Sequence, residues 1–202
     1  MTKFEFIDHY LYSFDQDFAS NNRDRIIFDN TIELLLEVMS DGIHYDHLNS
    51  KDRRTDYYGY LTVQGPMKRQ QIVFRSAYIF EKLYFAHSEI LNHPKLKFLE
   101  LVFIVKNESA MRHFSKIIAD ALERGIISLT EQDEFQLLSV LTLWCTDPKI
   151  KVAVKVWAFE SIMILSKKNN TAQECLRGIM DLFLENPGPA IRSRMKKWHK
   201  FI

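Results

Sequence analysis

The stretch "TDPKIKVAVKVWAFESIMILSKK", residues 146–168, decides the fold class of this chain. When its residues are placed at 100° intervals, as in an α-helix, apolar side chains between positions 152 and 165 cover almost the whole circumference. Only three polar or charged residues interrupt them, Lys155, Glu160 and Ser161, and Lys151 precedes them. A helix of this composition must be covered on several sides, so the stretch predicts a helix packed between other helices.

The overall composition is that of a globular chain with a sizeable core. The 202 residues are 47% hydrophobic and 26% charged, and the net charge of +1 points to no particular class of charged partner. The N-terminus lacks the pattern of a signal peptide, and no stretch approaches the 18 apolar residues of a membrane span. Without such a span, we expect no contact with membranes. Cys145 and Cys175 form no CxxC pair, so we expect both to be buried free thiols and the protein to be cytoplasmic.

Helix-start signals divide the C-terminal half into paired helices. Thr130, followed by acidic residues, predicts the N-cap of a helix over 131–145. Asp147 and Pro148 predict the N-cap and first position of the next helix. Thr171 with Glu174 three residues later matches a capping box.

Glycines predict several helix ends. Gly125 is expected to end the helix that starts near residue 108, and Gly42 is expected to end a single helix over 23–42. A long helix is expected after the Gly65–Pro66 break. Residues 43–64 are the least regular part, and we interpret them as a loop followed by a short helix.

Two of the predicted helices share a pattern. "RSAYIFEKL" (75–83) aligns with "VKVWAFESI" (154–162), which matches aromatic, phenylalanine and glutamate positions at an offset of 79 residues. This offset is close to two units of roughly 40 residues, the length of a repeated helix pair. The alignment places Glu81 over Glu160, and each is expected to pair with a cation such as Arg75 or Arg192.

The helix pairs resemble HEAT and armadillo repeats, in which the second helix follows an Asp-containing turn and reads Val-Arg, then Ala, then Leu. The corresponding residues here are Asp147-Pro148, Val154-Lys155, Ala158, Ile162 and Leu165, and Pro189-Ala190-Ile191-Arg192 repeats part of the pattern. Lysine replaces arginine, and the turn is about two residues longer than in the family. The chain also resembles small HEAT-like proteins of about 200 residues. The resemblance implies an all-α, right-handed α-α superhelix in a single domain, 1–202, most legible over 66–202 and less regular over 1–65.

The C-terminal segment is the strongest candidate for binding phosphate or a partner. Its basic residues are Arg192, Arg194, Lys196, Lys197 and Lys200. They could grip phosphates, or they could form the solvated face of a terminal capping helix. A second basic cluster is interleaved with tyrosines and could bind nucleic acid, although Asp52 and Asp56 dilute its charge. It consists of Lys51, Arg53, Arg54, Lys68 and Arg69.

Two other groups have weaker claims to chemistry. His44 and His47, with Asp46, could bind a metal or belong to a solvated loop; no third ligand is apparent, so no metal or cofactor is predicted. Trp144 and Asp147 resemble the aromatic and acidic residues that HEAT-like alkylpurine DNA glycosylases use.

The sequence contains no GxSxG, GxxxxGK[ST], GxGxxG or HExxH motif. We therefore expect a non-enzymatic macromolecular interaction module, a scaffold whose partner is another protein. The alternative is a nucleic-acid-binding HEAT-like protein of the alkylpurine DNA glycosylase type. The partner's identity, the face that binds it and the oligomeric state stay open.

Overall fold

The computed structural model describes residues 1–12, 14–48, 61, 65–185 and 188–198. Every regular element in these ranges is helical, which confirms the predicted all-α class. The α-helices are α1 Lys3–Phe6, α2 Phe18–Phe28, α3 Ile32–Tyr45, α4 Gly65–Ala86, α5 Phe98–Ile104, α6 Glu108–Glu123, α7 Glu131–Thr146, α8 Val152–Ser166, α9 Asn170–Glu185 and α10 Pro189–Trp198. A π-helical turn, Ile7–Leu11, follows α1, and a 3₁₀ turn, Ser88–Asn92, follows α4. None of the described helices is long and apolar enough to cross a membrane.

The chain divides into two compact units, Met1–His113 and Phe114–Ile202. In the first unit, α4 packs against α2 and α3, and α3 also contacts α1 and α5. Large side chains from these helices are fully buried at its centre, among them Phe6, Tyr10, Leu35, Ile79 and Leu83. The division leaves the predicted single domain as a prediction.

The helix predicted over 23–42 is two helices, so that prediction is wrong. α2 ends before Asn30, whose φ of 52° lies in the left-handed region and turns the chain into α3. Gly42 does not end a helix but lies inside α3. A Cβ atom on Gly42 would lie 2.6 Å from Cγ2 of Val73, so this glycine permits the close approach of α3 to α4.

The packing of the second unit explains why the helix within residues 146–168 is apolar on nearly all sides. Helix α8 is packed against α7, α9 and α10, so that three helices cover it. Its side chains are buried on several sides, including Val154, Val156, Phe159 and Ile162. The prediction of a helix packed between other helices is therefore confirmed within this unit.

Helix α8 begins later than predicted, after Lys151. Asp147 is not its N-cap, because the carboxylate accepts a hydrogen bond from the backbone N–H of Lys149 (2.8 Å). The Asp147 carbonyl also accepts from the N–H of Ile150 (3.2 Å), which closes a turn. Asp-Pro is a turn signal as well as a helix-start signal, and here the turn forms.

The other predicted caps divide between confirmed and wrong. Thr130 is the N-cap of α7 and forms a capping box with Asp133. Gly125, with a φ of 67°, follows α6 as predicted. Thr171 lies inside α9, and Asn169 caps that helix instead, since its side-chain oxygen accepts from the N–H of Ala172 (3.0 Å).

Candidate interaction surface on helix α4

The side chains on one face of α4 are less completely buried than those on the opposite face. It carries Phe74, Arg75, Tyr78, Lys82 and Phe85, which we call the α4 stripe. Phe74, Tyr78, Lys82 and Phe85 follow one another at intervals of three or four residues, and Arg75 lies next to Phe74. All five therefore fall within about 100° of the helix circumference. Four of them are half-buried, and Phe85 is 42% exposed, whereas Ile79, Phe80 and Leu83 on the other faces are fully buried.

Two aromatic residues of the α4 stripe, Phe74 and Tyr78, form a connected group with Phe14 and His113. The rings of Phe74 and Tyr78 lie 6.1 Å apart, with their planes only 10° from parallel. Phe14, which precedes α2, packs against Phe74 at 5.6 Å and is 49% exposed. The imidazole of His113 stacks on both rings, at 5.8 Å from Phe74 and 4.9 Å from Tyr78. The rings are thus held in place while part of their surface stays open.

His113 is fixed by a carboxylate beneath the stripe. Its Nδ1 lies 2.5 Å from Oε2 of Glu81, and both side chains are buried. Arg75 is engaged elsewhere and is not the partner of Glu81, so the example given for this pairing is wrong, whereas a pairing of Glu81 with another cation stays a prediction. Six residues of helix rotate Arg75 about 120° away from Glu81, which places the guanidinium on a different face. The same pairing predicted for Glu160, which is also buried, stays a prediction.

Arg75 has a different role. Its guanidinium donates hydrogen bonds to the backbone carbonyls of Leu11 and Tyr12, and it lies 5.0 Å from the ring centre of Phe14. These contacts fasten the end of the π-helical turn to α4. Burial lowers the pKa of Arg75 from its ordinary value, since the charged form loses solvation there.

The second cation of the stripe, Lys82, has its Nζ 5.8 Å from the ring centre of Tyr78. Within the described ranges, neither Lys82 nor Arg75 forms an ion pair with a carboxylate. Other cations of this unit do: Lys95, for example, contacts Glu33 at 2.9 Å and Glu37 at 3.0 Å. The α4 stripe therefore combines partly exposed aromatic surface with positive charge that no carboxylate of the described residues neutralises.

The histidines of the possible metal site contact two different backbone carbonyls. Nδ1 of His44 lies 2.9 Å from the carbonyl oxygen of Ser40, and Nε2 of His47 contacts the carbonyl oxygen of Ile104. Asp46 forms an ion pair with a basic residue of α4. Among the described residues, no three or more His, Cys, Asp or Glu side chains lie together as metal ligands would.

Little of the predicted basic C-terminal site lies within the described residues. Arg192 is exposed on α10, which packs against α8. The side chains of Arg194, Lys196 and Lys197, and all of Lys200, lie outside the described residues. The predicted phosphate or partner site at this end of the chain therefore stays a prediction.

Of the remaining candidates from the sequence, Trp144 is buried and Arg69 is held by contacts within its own unit. Trp144 is only 3% exposed, so its ring is not available to stack on a base. Arg69 of the second basic cluster pairs with Asp46 at 3.1 Å and lies 4.5 Å from the ring centre of Tyr45. Arg53 and Arg54 lie outside the described residues.

The two cysteines differ in exposure. Cys145 is free and buried as predicted, and burial raises the pKa of its thiol to about 12. Cys175 is also free, but it is half-buried, so the prediction of full burial is wrong for this residue. It lies on α9, which buries a single narrow side.

Sequence reasoning missed the α4 stripe, although the internal alignment contains a signal for it. At the offset of 79 residues, Arg75 corresponds to Val154 and Lys82 corresponds to Ser161. Two positions that are uncharged in one helix are cationic in the other. In comparisons with known proteins, no protein family, no curated protein and no solved structure matches this chain.

Proposed function

We propose that this protein is a non-enzymatic interaction module that binds another protein through the α4 stripe. One observation carries the proposal: stacked aromatic rings lie beside two cations that have no carboxylate partner among the residues the structure describes. Aromatic and arginine side chains supply much of the binding energy at protein interfaces. Rings that are already held in position also lose little side-chain entropy when a partner binds.

Two features favour a protein over a nucleic acid at this surface. Asp15 and Asp17 lie next to Phe14 along the chain and are exposed, and they would repel a phosphate backbone. The net charge of +1 provides no general attraction for a polyanion. A protein partner with a mixed surface tolerates both signs of charge.

The proposal includes a right-handed superhelix of HEAT or armadillo-like helix pairs, and a cytoplasmic location. The enclosure of α8 by α7, α9 and α10 supports the first, because stacked pairs enclose their inner helices in this way. Two free cysteines support the second, because thiols stay reduced in the cytoplasm.

Capture from a lysate, compared between variants, tests the proposal. We expect the wild-type chain to retain a specific protein that Lys82→Glu loses. The control variant Lys168→Glu makes the same charge change at an exposed lysine of the other unit and should retain it. Equal capture by both variants would contradict binding through the stripe.

The same preparations test the nucleic-acid alternative. Salt-sensitive binding of DNA or RNA in a gel shift at about 50 mM salt would support it, and no shift would exclude it. Base-excision activity on alkylated DNA would support the glycosylase type in particular.

A further inference from the structure

The internal alignment compares an enclosed helix with an open one. In α8, Val154 and Ser161 are fully buried, whereas the aligned residues of α4, Arg75 and Lys82, are half-buried. The inner positions agree, since Phe80 and Phe159 are both fully buried. The two helices thus share the face that forms the core of each unit. They differ on the face that is fully buried in α8 and only half-buried in α4.

The length of the open face sets the size of the missing partner. From Phe74 to Phe85 the α4 stripe spans about 16 Å along the helix axis, at 1.5 Å per residue. This length matches about three turns of a second helix packed beside it. The elements that pack against α8, where the aligned residues Val154 and Ser161 are fully buried, are also α-helices.

The charges on the stripe define the chemistry of this helix. The acidic residues of α4 and the turn after it are engaged, because Glu81 contacts His113 and Glu89 contacts His87 at 3.4 Å. Arg75 and Lys82 therefore keep their positive charge uncompensated within the described part of the chain. A partner carrying carboxylates would supply the missing charge pairs, and a basic partner would be repelled.

The stripe has distinguishable ends. The exposed residues Asp15 and Asp17 follow Phe14 in the chain, whereas Lys82 lies between Tyr78 and Phe85 along α4, with its Nζ 5.8 Å from the ring centre of Tyr78. Carboxylates of the partner are favoured at the Lys82 end, and its apolar residues are favoured on the two rings beside Lys82. The polarity of the stripe thus favours one direction of binding.

We propose that the α4 stripe binds an acidic amphipathic helix of a partner protein, with leucine or aromatic residues against Tyr78 and Phe85 and carboxylates at Lys82. This inference rests on the proposed function and adds the class of partner. The helix occupies the place that a neighbouring helix takes beside α8. Binding therefore completes the enclosure of α4 on its open face.

Selection from a displayed peptide library tests the proposal. The probe is a library of 16-residue peptides with leucine or phenylalanine at helical spacing and all other positions random, selected on the immobilised full chain. We expect enrichment of sequences rich in Asp and Glu, and helical circular dichroism of the enriched peptides when bound. Lys82→Glu should weaken the best peptide by about tenfold or more, Lys82→Gln should weaken it less, and Lys168→Glu should leave it unchanged.

A second pair of variants tests the apolar part of the surface. Phe85→Gln should weaken binding, whereas Phe135→Gln, on the exposed face of α7, should not. Circular dichroism and thermal unfolding of each variant establish that it is folded before binding is measured. These exposed positions leave the core of each unit intact.

The possible failures separate the two proposals. Enrichment of basic or neutral peptides whose binding depends on Phe85 would overturn the acidic partner while supporting the proposed function. Peptides insensitive to every stripe variant, or no enrichment at all, would overturn both. Oligonucleotide binding that Lys82→Glu abolishes would also overturn both and would support the nucleic-acid alternative.

Discussion

Helices α4 and α8 share a sequence pattern and have different surroundings. Both bury a phenylalanine and a glutamate at aligned positions, Phe80 with Glu81 and Phe159 with Glu160. α8 is covered by three helices of its unit, whereas one face of α4 stays half-exposed. The shared pattern determines the face that each helix turns to the core, and neighbouring helices determine whether the remaining faces are covered. An exposed face with ordered aromatic rings is available for a partner.

Exchanging the aligned residues Lys82 of α4 and Ser161 of α8 should give the largest difference in the free energy of unfolding. Ser161→Lys places a charge where α8 is fully buried, and we expect loss of several kcal/mol of the free energy of unfolding, or loss of folding. Lys82→Ser in α4 should change it by no more than about 0.5 kcal/mol, because Lys82 has no ion pair within the described residues. Urea unfolding of both variants measures the difference. Similar values for the two would break the comparison.

The buried glutamates provide the next test. Glu81→Gln weakens the hydrogen bond to His113, and we expect a loss of about 1–3 kcal/mol. If Glu160 pairs with a cation as its sequence position predicts, Glu160→Gln should lose a similar amount. Thermal unfolding measures both variants. An unchanged melting temperature for Glu160→Gln would argue against that pairing.

The inner packing of α4 can be tested at Gly42. Gly42→Ala places a methyl group against Val73, whose branched side chain has little freedom to move aside. We expect a loss of about 1–2 kcal/mol from this overpacking, partly offset by the better helix propensity of alanine. Gly178→Ala in α9 is the control, since no atom lies within 4 Å of its added Cβ, and it should not destabilise the protein. A stable Gly42→Ala variant would show that α4 can move away from α3.

The smallest expected effect is on the pH dependence of the first unit. The hydrogen bond from Lys95, with further help from Lys3, lowers the pKa of Glu37 below 4.5, although burial opposes the shift. A lowered folded-state pKa stabilises the protein above the unfolded-state value, and this contribution is lost as the pH falls through the folded-state value. Between about pH 5 and pH 3, the range around the ordinary pKa of a glutamate, the free energy of unfolding should therefore change less with pH in Glu37→Gln than in the wild type. An unchanged dependence would show that this ion pair adds nothing in solution.

Local signals in the sequence predicted the presence of the helices better than the residues at which they begin and end. Thr130 and Gly125 act as predicted, because each satisfies the backbone groups of its own helix end. Asp147 and Gly42 do not, because an aspartate can close a turn as well as cap a helix and a glycine can permit close packing as well as end a helix. The choice depends on contacts with residues far along the chain.

The candidate site was beyond prediction for the same reason. The partner of Glu81 is His113, 32 residues away on α6, and no spacing rule connects them. The basic C-terminal segment is recognisable as a candidate site because its cations are clustered in the sequence, whereas Arg75 and Lys82 are separated by apolar residues. Their significance depends on the absence of neighbouring carboxylates within the described residues, which is a property of the fold.

Periodicity and apolar content are enough to predict that this chain is helical and that residues 146–168 contain a helix requiring cover on several sides, because both act through local geometry and solvation. The tertiary structure decided which helices provide that cover. It also decided that Phe74, Tyr78 and His113 stack into one surface beside Lys82. Stacking and charge compensation depend on distances in space between residues that the chain keeps far apart, and only folding sets those distances.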